Sequence, residues 1–150
     1  MTQTDRSRSR SAARLAAVQA LYQQEMEGTP LAQLLHEFHH HRIGETIDGA
    51  TLVDAEVDFF NDIVRGVDAR RTEIDENIGN RLAEGWKLER LDRPMRALLR
   101  AGAYELLARR DVPVATVISE YLDVAHAFYD KREVAFANGL LDALAKDARG

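Results

Sequence analysis

Apolar residues recur at the spacing of one helix face along most of the chain, and most densely between residues 91 and 110. One face of that stretch carries Met95, Leu98, Leu99, Gly102, Leu106 and Leu107. Alanines and Tyr104 occupy much of the remaining surface, and a helix that is apolar on most sides is normally buried. Asp92 is a suitable N-cap, and Asp111 follows the last apolar turn. We therefore predict a central helix, in which Gly102 indicates a close crossing because glycine is otherwise unfavourable there.

The same period predicts helices on both sides of this stretch. They cover residues 6–27, 30–38, 54–78, 81–89, 113–128 and 131–147. The longest of them is expected to bend near Gly66, and residues 39–51 have no period and are predicted to form a loop. No alternating strand pattern is found. The chain is thus predicted to be one all-α domain of about seven helices over residues 1–150, with residues 1–5 loose.

Composition narrows the class of protein without changing this picture. Hydrophobic residues make up 45% and charged residues 30% of the chain, which is typical of a globular protein. The absence of cysteine excludes a disulfide framework and thiolate metal sites. No apolar run approaches the ~18 residues of a membrane span, and the polar N-terminus lacks the apolar segment of a secretory signal. We expect a cytoplasmic protein with no membrane association.

Positive charge is concentrated at the start of a chain whose net charge is −5. Residues 1–14 contain four arginines and one aspartate, a net charge of +3 that leaves −8 for the remainder. Arg6, Arg10 and Arg14 are spaced to form one stripe on a helix, whereas Arg8 lies on another side. Guanidinium groups bind phosphate oxygens and stack on bases, so these residues are candidates for binding single-stranded RNA. The alternative is a solvated helix start, although cations there oppose the helix dipole.

Phe136 lies off the predicted inward face of the last helix, which runs through Val134 and Leu141. Two cations, Lys131 and Arg132, come just before it. An exposed aromatic ring beside cations can act as a platform on which an RNA base stacks. The alternative for this side chain is packing against a neighbouring helix.

Histidines and carboxylates at helical spacing suggest a metal site as a further function. Glu37 with His40, and Asp123 with His126, have the spacing that helical di-iron enzymes use. The apolar residues of the same helices predict that both pairs point away from the interior, which disfavours a metal site. The sequence also lacks a nucleophile triad and a glycine-rich phosphate loop. We expect no metal, no cofactor and no enzymatic activity.

Five short motifs follow one another along nearly the whole chain. They are Arg14 with residues 17–22 (AVQALY), residues 98–100 (LLR) with 104–106 (YEL), 111–113 (DVP), 118–120 (ISE) and 136–142 (FANGLLD). In order and spacing they resemble the NusB family of bacterial transcription antitermination factors. Each motif is modest alone, but five in the same order are specific.

The resemblance implies an all-helical fold of two small bundles and a non-enzymatic, RNA-binding function. Members of the family pair with NusE, which is also a small-subunit ribosomal protein, bind boxA RNA and help RNA polymerase resist termination in an antitermination complex. The RNA surface implied for this chain comprises Arg6, Arg8, Arg10, Arg14, Lys131, Arg132 and Phe136. The surface implied for NusE comprises Tyr22, Met95 and Arg96. We expect the arginine-rich end of the molecule to lie next to Phe136.

Departures from the family pattern bear on both surfaces. Ala135 stands before Phe136 where the family often has a cation, so Arg132 would supply that charge, and Met95 stands where an acid is common. The scaffold also resembles the N-terminal domain of RNA cytosine methyltransferases. A helical protein–protein interaction module without RNA binding of its own is therefore the alternative function. An exposed apolar docking face would also allow the free chain to form a homodimer.

Overall fold

The computed structural model describes the backbone of residues 3–39, 46–47, 50–51 and 56–150, and the side chains of residues 7–39 and 56–150. These ranges contain seven α-helices. They are α1 (Gln3–Glu27), α2 (Leu31–Glu37), α3 (Val57–Ala69), α4 (Arg71–Arg81), α5 (Arg93–Ala108), α6 (Val114–Phe128) and α7 (Lys131–Arg149). They also contain a 3₁₀ helix, Leu88–Arg90, and a short antiparallel pair, β1 (Thr46–Ile47) with β2 (Ala50–Thr51). Among the described helices, none combines the length and apolar character that crossing a membrane requires.

The predicted central helix is α5, and the prediction of an all-α fold built around it is confirmed. Every residue from Ala97 to Leu106 is buried, and α5 packs against α1, α3, α4, α6 and α7. Its start is capped by Asp92, whose carboxylate accepts a hydrogen bond of 3.0 Å from the backbone N–H of Met95. Helices α1, α2 and α3 contact one another, and α7 contacts α4 and α6, so two small bundles share α5.

Ion pairs between α1 and α5 show that the two helices are antiparallel. Arg14, in the first half of α1, pairs with Glu105 near the end of α5. Glu25, near the end of α1, pairs with Arg96 near the start of α5. The arginine-rich start of α1 therefore lies at the end of α5 where the chain leaves it, which we term the carboxyl end, and not at its amino end.

Helix α7 runs in the same direction as α5 and closes its carboxyl end. Arg149 donates from Nε to the carbonyl of Leu106 at 2.9 Å, and from Nη2 to the carbonyls of Glu105 and Arg109 at 3.0 and 2.8 Å. Carbonyls in the last turn of a helix lack intrahelical partners, and a cation there also interacts favourably with the helix dipole. The start of α7, which carries Phe136, consequently lies toward the amino end of α5.

Two glycines allow close packing rather than chain flexibility. A Cβ at Gly102 would lie 2.8 Å from Cδ2 of Leu141 and 3.5 Å from Cδ2 of Tyr121, so the predicted close crossing is confirmed. A Cβ at Gly66 would lie 2.1 Å from Cε1 of Tyr104. Gly66 therefore makes room for an aromatic ring, and the predicted bend is not at this residue.

The predicted helix over residues 54–78 is two helices that meet at Arg70, where φ is −111° and ψ is 22°. Helix α3 packs on α1 and α5, whereas α4 packs on α5 and α7. Since these neighbours lie in different directions, one straight helix could not bury both Val67 and Ile78. The apolar period alone did not reveal this change of direction.

Three other boundaries differ from the prediction. Residues 81–89 do not form a helix, because Gly85 adopts a φ of +85° and only Leu88–Arg90 makes a 3₁₀ turn. Helix α1 begins at Gln3, three residues before its predicted start. The predicted loop contains the pair β1–β2, in which Thr46 faces Thr51 and Ile47 faces Ala50.

Candidate nucleic-acid interface

Three arginines surround one buried aromatic ring at the carboxyl end of α5. The Cζ atoms of Arg10, Arg14 and Arg109 lie 4.5, 4.9 and 4.8 Å from the centre of the Phe59 ring. Phe59 is only 1% exposed. Guanidinium groups are attracted to aromatic faces, so this ring orders three cations that come from α1 and from the end of α5.

Arg14 is part of the core and is fully paired. It is 2% exposed. Its Nε and Nη2 donate to the two carboxylate oxygens of Glu105 at 2.8 and 3.0 Å, and its Nη1 donates to Glu120 at 2.9 Å. Burial alone would lower the pKa of Arg14, but the hydrogen bonds and charges of these carboxylates raise it above its usual value. The donors of Arg14 are therefore already used inside the protein, which argues against direct contact with RNA, and such contact stays a prediction.

The carboxylates that pair with Arg14 have further partners. The hydroxyl of Tyr121 donates to Glu105, and the hydroxyl of Ser11 donates to Glu120 at 2.6 Å. Burial and the adjacent Glu105 carboxylate raise the pKa of Tyr121 well above its usual value, so Tyr121 keeps its proton. Buried charges need this degree of compensation, and the buried cluster (Arg14, Glu105, Glu120 and Tyr121) joins α1, α5 and α6.

Arg10 has a different environment although it faces the same ring. Its side chain is 16% exposed, and its Nε donates to the carboxylate of Glu56 at 3.3 Å. Arg8 is exposed on another side of α1, as predicted. The side chain of Arg6 lies outside the described residues. In the described part of α1, Arg8 and the outer edge of Arg10 are thus the arginine groups that solvent can reach.

Arg109 completes the group around Phe59 and is paired with two aspartates. It donates to Asp62 at 3.1 Å and to Asp111 at 3.1 Å. The hydrogen bond from Arg109 holds the pKa of Asp111 below its usual range. Burial, together with a 2.7 Å hydrogen bond to Asp62, raises the pKa of Tyr104 to about 12. This network anchors α3 to the carboxyl end of α5.

An apolar depression with exposed aromatic residues lies at the amino end of α5. Phe136 is 39% exposed and Trp86 is 57% exposed, and both line this depression of about 490 Å³. Met95 lies in its wall and is 4% exposed. Lys131 and Arg132 are exposed at the start of α7, and Arg132 also lines the depression. Phe136 is partly exposed, as predicted, and shares the depression with Arg132, whereas its contact with RNA stays a prediction.

Trp86 was not recognised as a surface residue because it was placed in a predicted helix. Gly85, which adopts a positive φ, turns the chain directly before it and projects it away from the core. Gly85 in the middle of the predicted helix was the available signal, since glycine is unfavourable inside a helix.

The arginine-rich end of α1 and Phe136 are not adjacent, which corrects the expectation that they lie side by side. Arg10 and Arg14 lie near Glu105, whereas Phe136 shares the depression with Met95. Met95 and Glu105 are ten positions apart in α5, which corresponds to about 15 Å along the helix axis. A single nucleotide could not contact both groups.

The residues predicted to bind a protein partner lie at or near the amino end of α5. Tyr22 is partly buried against the core. Met95 is buried, so it can reach a partner only through the depression. Arg96 pairs with Glu25 at 2.7 Å, and Glu25 also accepts a hydrogen bond from Arg100 at 3.2 Å. Contact of these residues with a partner stays a prediction.

The histidine-containing segments have other contacts in the described residues. Glu37 accepts hydrogen bonds from Gln23 at 2.6 Å and from Gln33 at 3.1 Å. Asp123 and His126 are both exposed on α6. His40, which completes the other predicted pair, lies outside the described residues. In the described part of the chain, no group of three or more histidine, aspartate or glutamate side chains could hold a metal ion.

The model of the NusB family matches residues 11–146. The chain belongs to the NusB family. Its NusB relative from Sphingopyxis alaskensis, named transcription antitermination protein NusB, is 68% identical over 144 residues, which cover 96% of this chain and 97% of the relative. The family resemblance predicted from the sequence is confirmed.

Solved structures agree with this assignment of the NusB fold. T. maritima NusB is 30% identical, covers 94% of this chain and 93% of its own chain, and superposes with a TM-score of 0.77. A chain in a crystal structure of antitermination factors NusB and NusE in complex with double-stranded RNA gives a TM-score of 0.78. The match to that chain is 23% identical and covers 97% of this chain and 99% of the other. At this identity it supports only the assignment of the fold.

Three of the motifs that resemble the NusB family meet in the buried cluster. Arg14, Glu105 and Glu120 come from separate motifs, and their side chains pair with one another inside the protein. These motifs therefore report on packing between helices. Phe136, from the last motif, differs because its ring is partly exposed.

Proposed function

We propose that this chain is an RNA-binding transcription antitermination factor that works without catalysis. The observation that carries the proposal is the 68% identity, over 96% of the chain, to a relative named transcription antitermination protein NusB. The factor acts by binding: it joins boxA-type single-stranded RNA and the ribosomal protein NusE to an antitermination complex on RNA polymerase. Because that complex forms on nascent RNA, the proposed location is the cytoplasm.

The proposed RNA surface has two separate parts. Arg8 and Arg10 at the start of α1 provide cations for phosphates, and Arg6 is retained from the sequence as a third. Phe136, with Lys131 and Arg132, provides an aromatic platform near the amino end of α5. A single strand of several nucleotides that runs over the surface of the protein, in the direction of the α5 axis, would span the distance between the two parts.

NusE is proposed to dock beside the amino end of α5, near Tyr22, Met95 and Arg96. The body of the chain after residue 14 is acidic, which is complementary to a basic ribosomal protein and would favour association at low salt. The exposed apolar surface of the depression would be covered in the same assembly. An exposed apolar patch of this kind commonly marks a protein interface.

Binding of a labelled boxA-type RNA, alone and with NusE, tests this proposal by fluorescence anisotropy. If about four cations each release counterions with a coefficient of about 0.7, the slope of log affinity against log salt will be near −3. Arg8→Glu should weaken binding severalfold without changing the unfolding midpoint. Lys146→Glu is the control, because Lys146 is 76% exposed and lies at the other end of α7 from Phe136.

The alternative function, an interaction module that binds protein but not RNA, predicts a different result. Such a module would bind NusE with an affinity that does not increase when boxA-type RNA is added. It would not bind the RNA alone, even at low salt. A scrambled RNA of the same length separates sequence preference from charge. Equal affinity for both RNAs would contradict recognition of boxA.

A further inference from the structure

Arg10 and Arg14 project toward the same ring of Phe59 but differ in how their donors are used. Arg14 makes three hydrogen bonds of 2.8–3.0 Å to two carboxylates. Arg10, in contrast, makes one hydrogen bond of 3.3 Å, from Nε to Glu56, in the described part of the chain. Charge-assisted hydrogen bonds are commonly 2.7–2.9 Å long, so the pair between Arg10 and Glu56 is a weak one.

Contact with Phe59 prepares Arg10 for a second ligand. The attraction between a guanidinium and an aromatic ring needs no hydrogen-bond acceptor, so the N–H donors of the guanidinium remain available to other groups. The Cζ of Arg10 is 4.5 Å from the ring centre, and its side chain retains 16% exposure. The ring therefore limits the rotamers of Arg10, and less side-chain entropy is lost when a phosphate binds.

The backbone of Glu56 would hold the residue beside Arg10 even without its side-chain ion pair. Its N–H donates to the carbonyl of Ser9 at 3.1 Å, which places the start of α3 against α1. Its carboxylate makes no capping hydrogen bond to α3 and is 31% exposed. The side chain can consequently swing into solvent while the backbone contact between the two helices persists.

We infer that Arg10, held on Phe59, is a phosphate-binding residue of α1, and that Glu56 is an internal competitor which the phosphate displaces. The inference rests on the proposed RNA binding and sharpens it. Glu56 occupies the Nε donor of Arg10 in the free protein and repels an approaching phosphate. Glu56 therefore lowers the affinity of this site for any polyanion. RNA binding then depends more strongly on the other proposed contacts, including the aromatic platform at Phe136.

Removal of the competing charge should tighten RNA binding. In Glu56→Gln the shape of the side chain is kept, and its backbone bond to Ser9 does not depend on the charge. Because partly exposed ion pairs contribute little, we expect the dissociation constant for boxA-type RNA to fall about two- to fivefold. Asp58→Asn is the matched control. Asp58 is exposed on α3, two residues after Glu56, and its substitution removes the same charge without freeing Arg10.

A double-mutant cycle with Arg10→Gln separates release of Arg10 from a general change of charge. In the Arg10→Gln background, Glu56→Gln should give no gain beyond that of Asp58→Asn. Glu56→Ser serves as a second variant, because serine is a good N-cap and protects α3 if glutamine weakens it. The unfolding midpoint of each variant is measured beside its affinity.

The possible outcomes are distinct. An equal gain from Asp58→Asn, or a gain from Glu56→Gln that persists without Arg10, would overturn the competition while leaving RNA binding intact. If the unsubstituted chain does not bind the RNA with or without NusE, both the proposed function and this inference fail. A tighter complex only for Glu56→Gln and Glu56→Ser, and only when Arg10 is present, is the result expected.

Discussion

The two ends of α5 differ in which groups are buried and which are exposed. At the carboxyl end, Arg14 is buried and fully paired around Phe59. At the amino end, Phe136 and Trp86 are exposed around a depression. Cations usually lie at the surface and aromatic rings in the core. The carboxyl end thus uses its charges to assemble the fold, whereas the amino end leaves apolar surface exposed.

The largest expected effect concerns the buried cluster at the carboxyl end. Glu105→Leu removes the carboxylate and leaves Arg14 as a buried cation with only Glu120 beside it. Breaking a buried pair by removing one partner costs about 3–5 kcal/mol, so the free energy of unfolding in urea should fall by that amount. A loss below about 1 kcal/mol would show that Arg14 is not sequestered.

The control for this experiment is the double variant Arg14→Met with Glu105→Leu. Replacement of a whole buried pair by apolar residues is often close to neutral, so the double variant should recover part of the lost stability. If the double variant is less stable than Glu105→Leu alone, pairing between Arg14 and Glu105 does not explain the cluster.

A second prediction tests the close packing beside the same end. Gly66→Ala places a Cβ 2.1 Å from Cε1 of Tyr104, so the ring must move away from Asp62 and its hydrogen bond is lost. Overpacking of this kind costs about 1–3 kcal/mol, which exceeds the gain of about 1 kcal/mol in helix propensity. In Gly79→Ala no atom lies within 4 Å of the new Cβ, and thermal unfolding should show an unchanged or higher midpoint.

At the amino end, stability and binding should separate. Phe136→Ala removes the proposed stacking platform and should weaken boxA-type RNA binding about 5- to 100-fold, since stacking contributes about 1–3 kcal/mol per base. Its free energy of unfolding should change little, because the ring is 39% exposed. Phe128→Ala is the matched control, as Phe128 is 37% exposed and does not line the depression. Equal loss of affinity in both variants would contradict a specific role for Phe136.

The smallest effect is expected from the exposed ion pair of Arg109 with Asp111. The pKa of Asp111 is lowered in the folded protein, so its contribution to stability is present above its unfolded value and is lost as the pH falls through the folded one. Asp111 is 56% exposed, which limits the contribution to about 0.5 kcal/mol or less. Asp111→Asn should remove this part of the acid dependence in urea titrations between about pH 5 and pH 2. An unchanged profile would show that the pair is screened completely.

Several features of the fold could be read from periodicity and capping residues. The apolar pattern identified α5, and Asp92 and Gly102 were correctly interpreted because a cap and a close crossing each depend on few atoms. The bend predicted near Gly66 is a break between two helices at Arg70, four residues later, and the turn at Gly85 was missed. The break depends on which distant helices pack against α3 and α4. The turn depends on the backbone conformation of one glycine, which apolar spacing does not reveal.

The candidate site was predictable only in part, for a similar reason. The spacing of Arg10 and Arg14 correctly implied a shared helix face, whereas the side chain of Arg6 lies outside the described residues. Whether that face meets solvent or protein depends on Glu105, which lies 91 residues beyond Arg14 and reaches it only in the folded chain. Phe136 was more predictable, because its position off the inward row of α7 is a local property.

The amino-acid sequence by itself determined that the chain is helical, that α5 is its centre, and that it belongs to the NusB family, because these properties depend on local period and on the order of short motifs. The tertiary structure alone decided which arginines are free. It placed Glu105 and Glu120 around Arg14, and Glu56 beside Arg10, because the availability of a charged group depends on which opposite charges the fold brings within hydrogen-bonding distance.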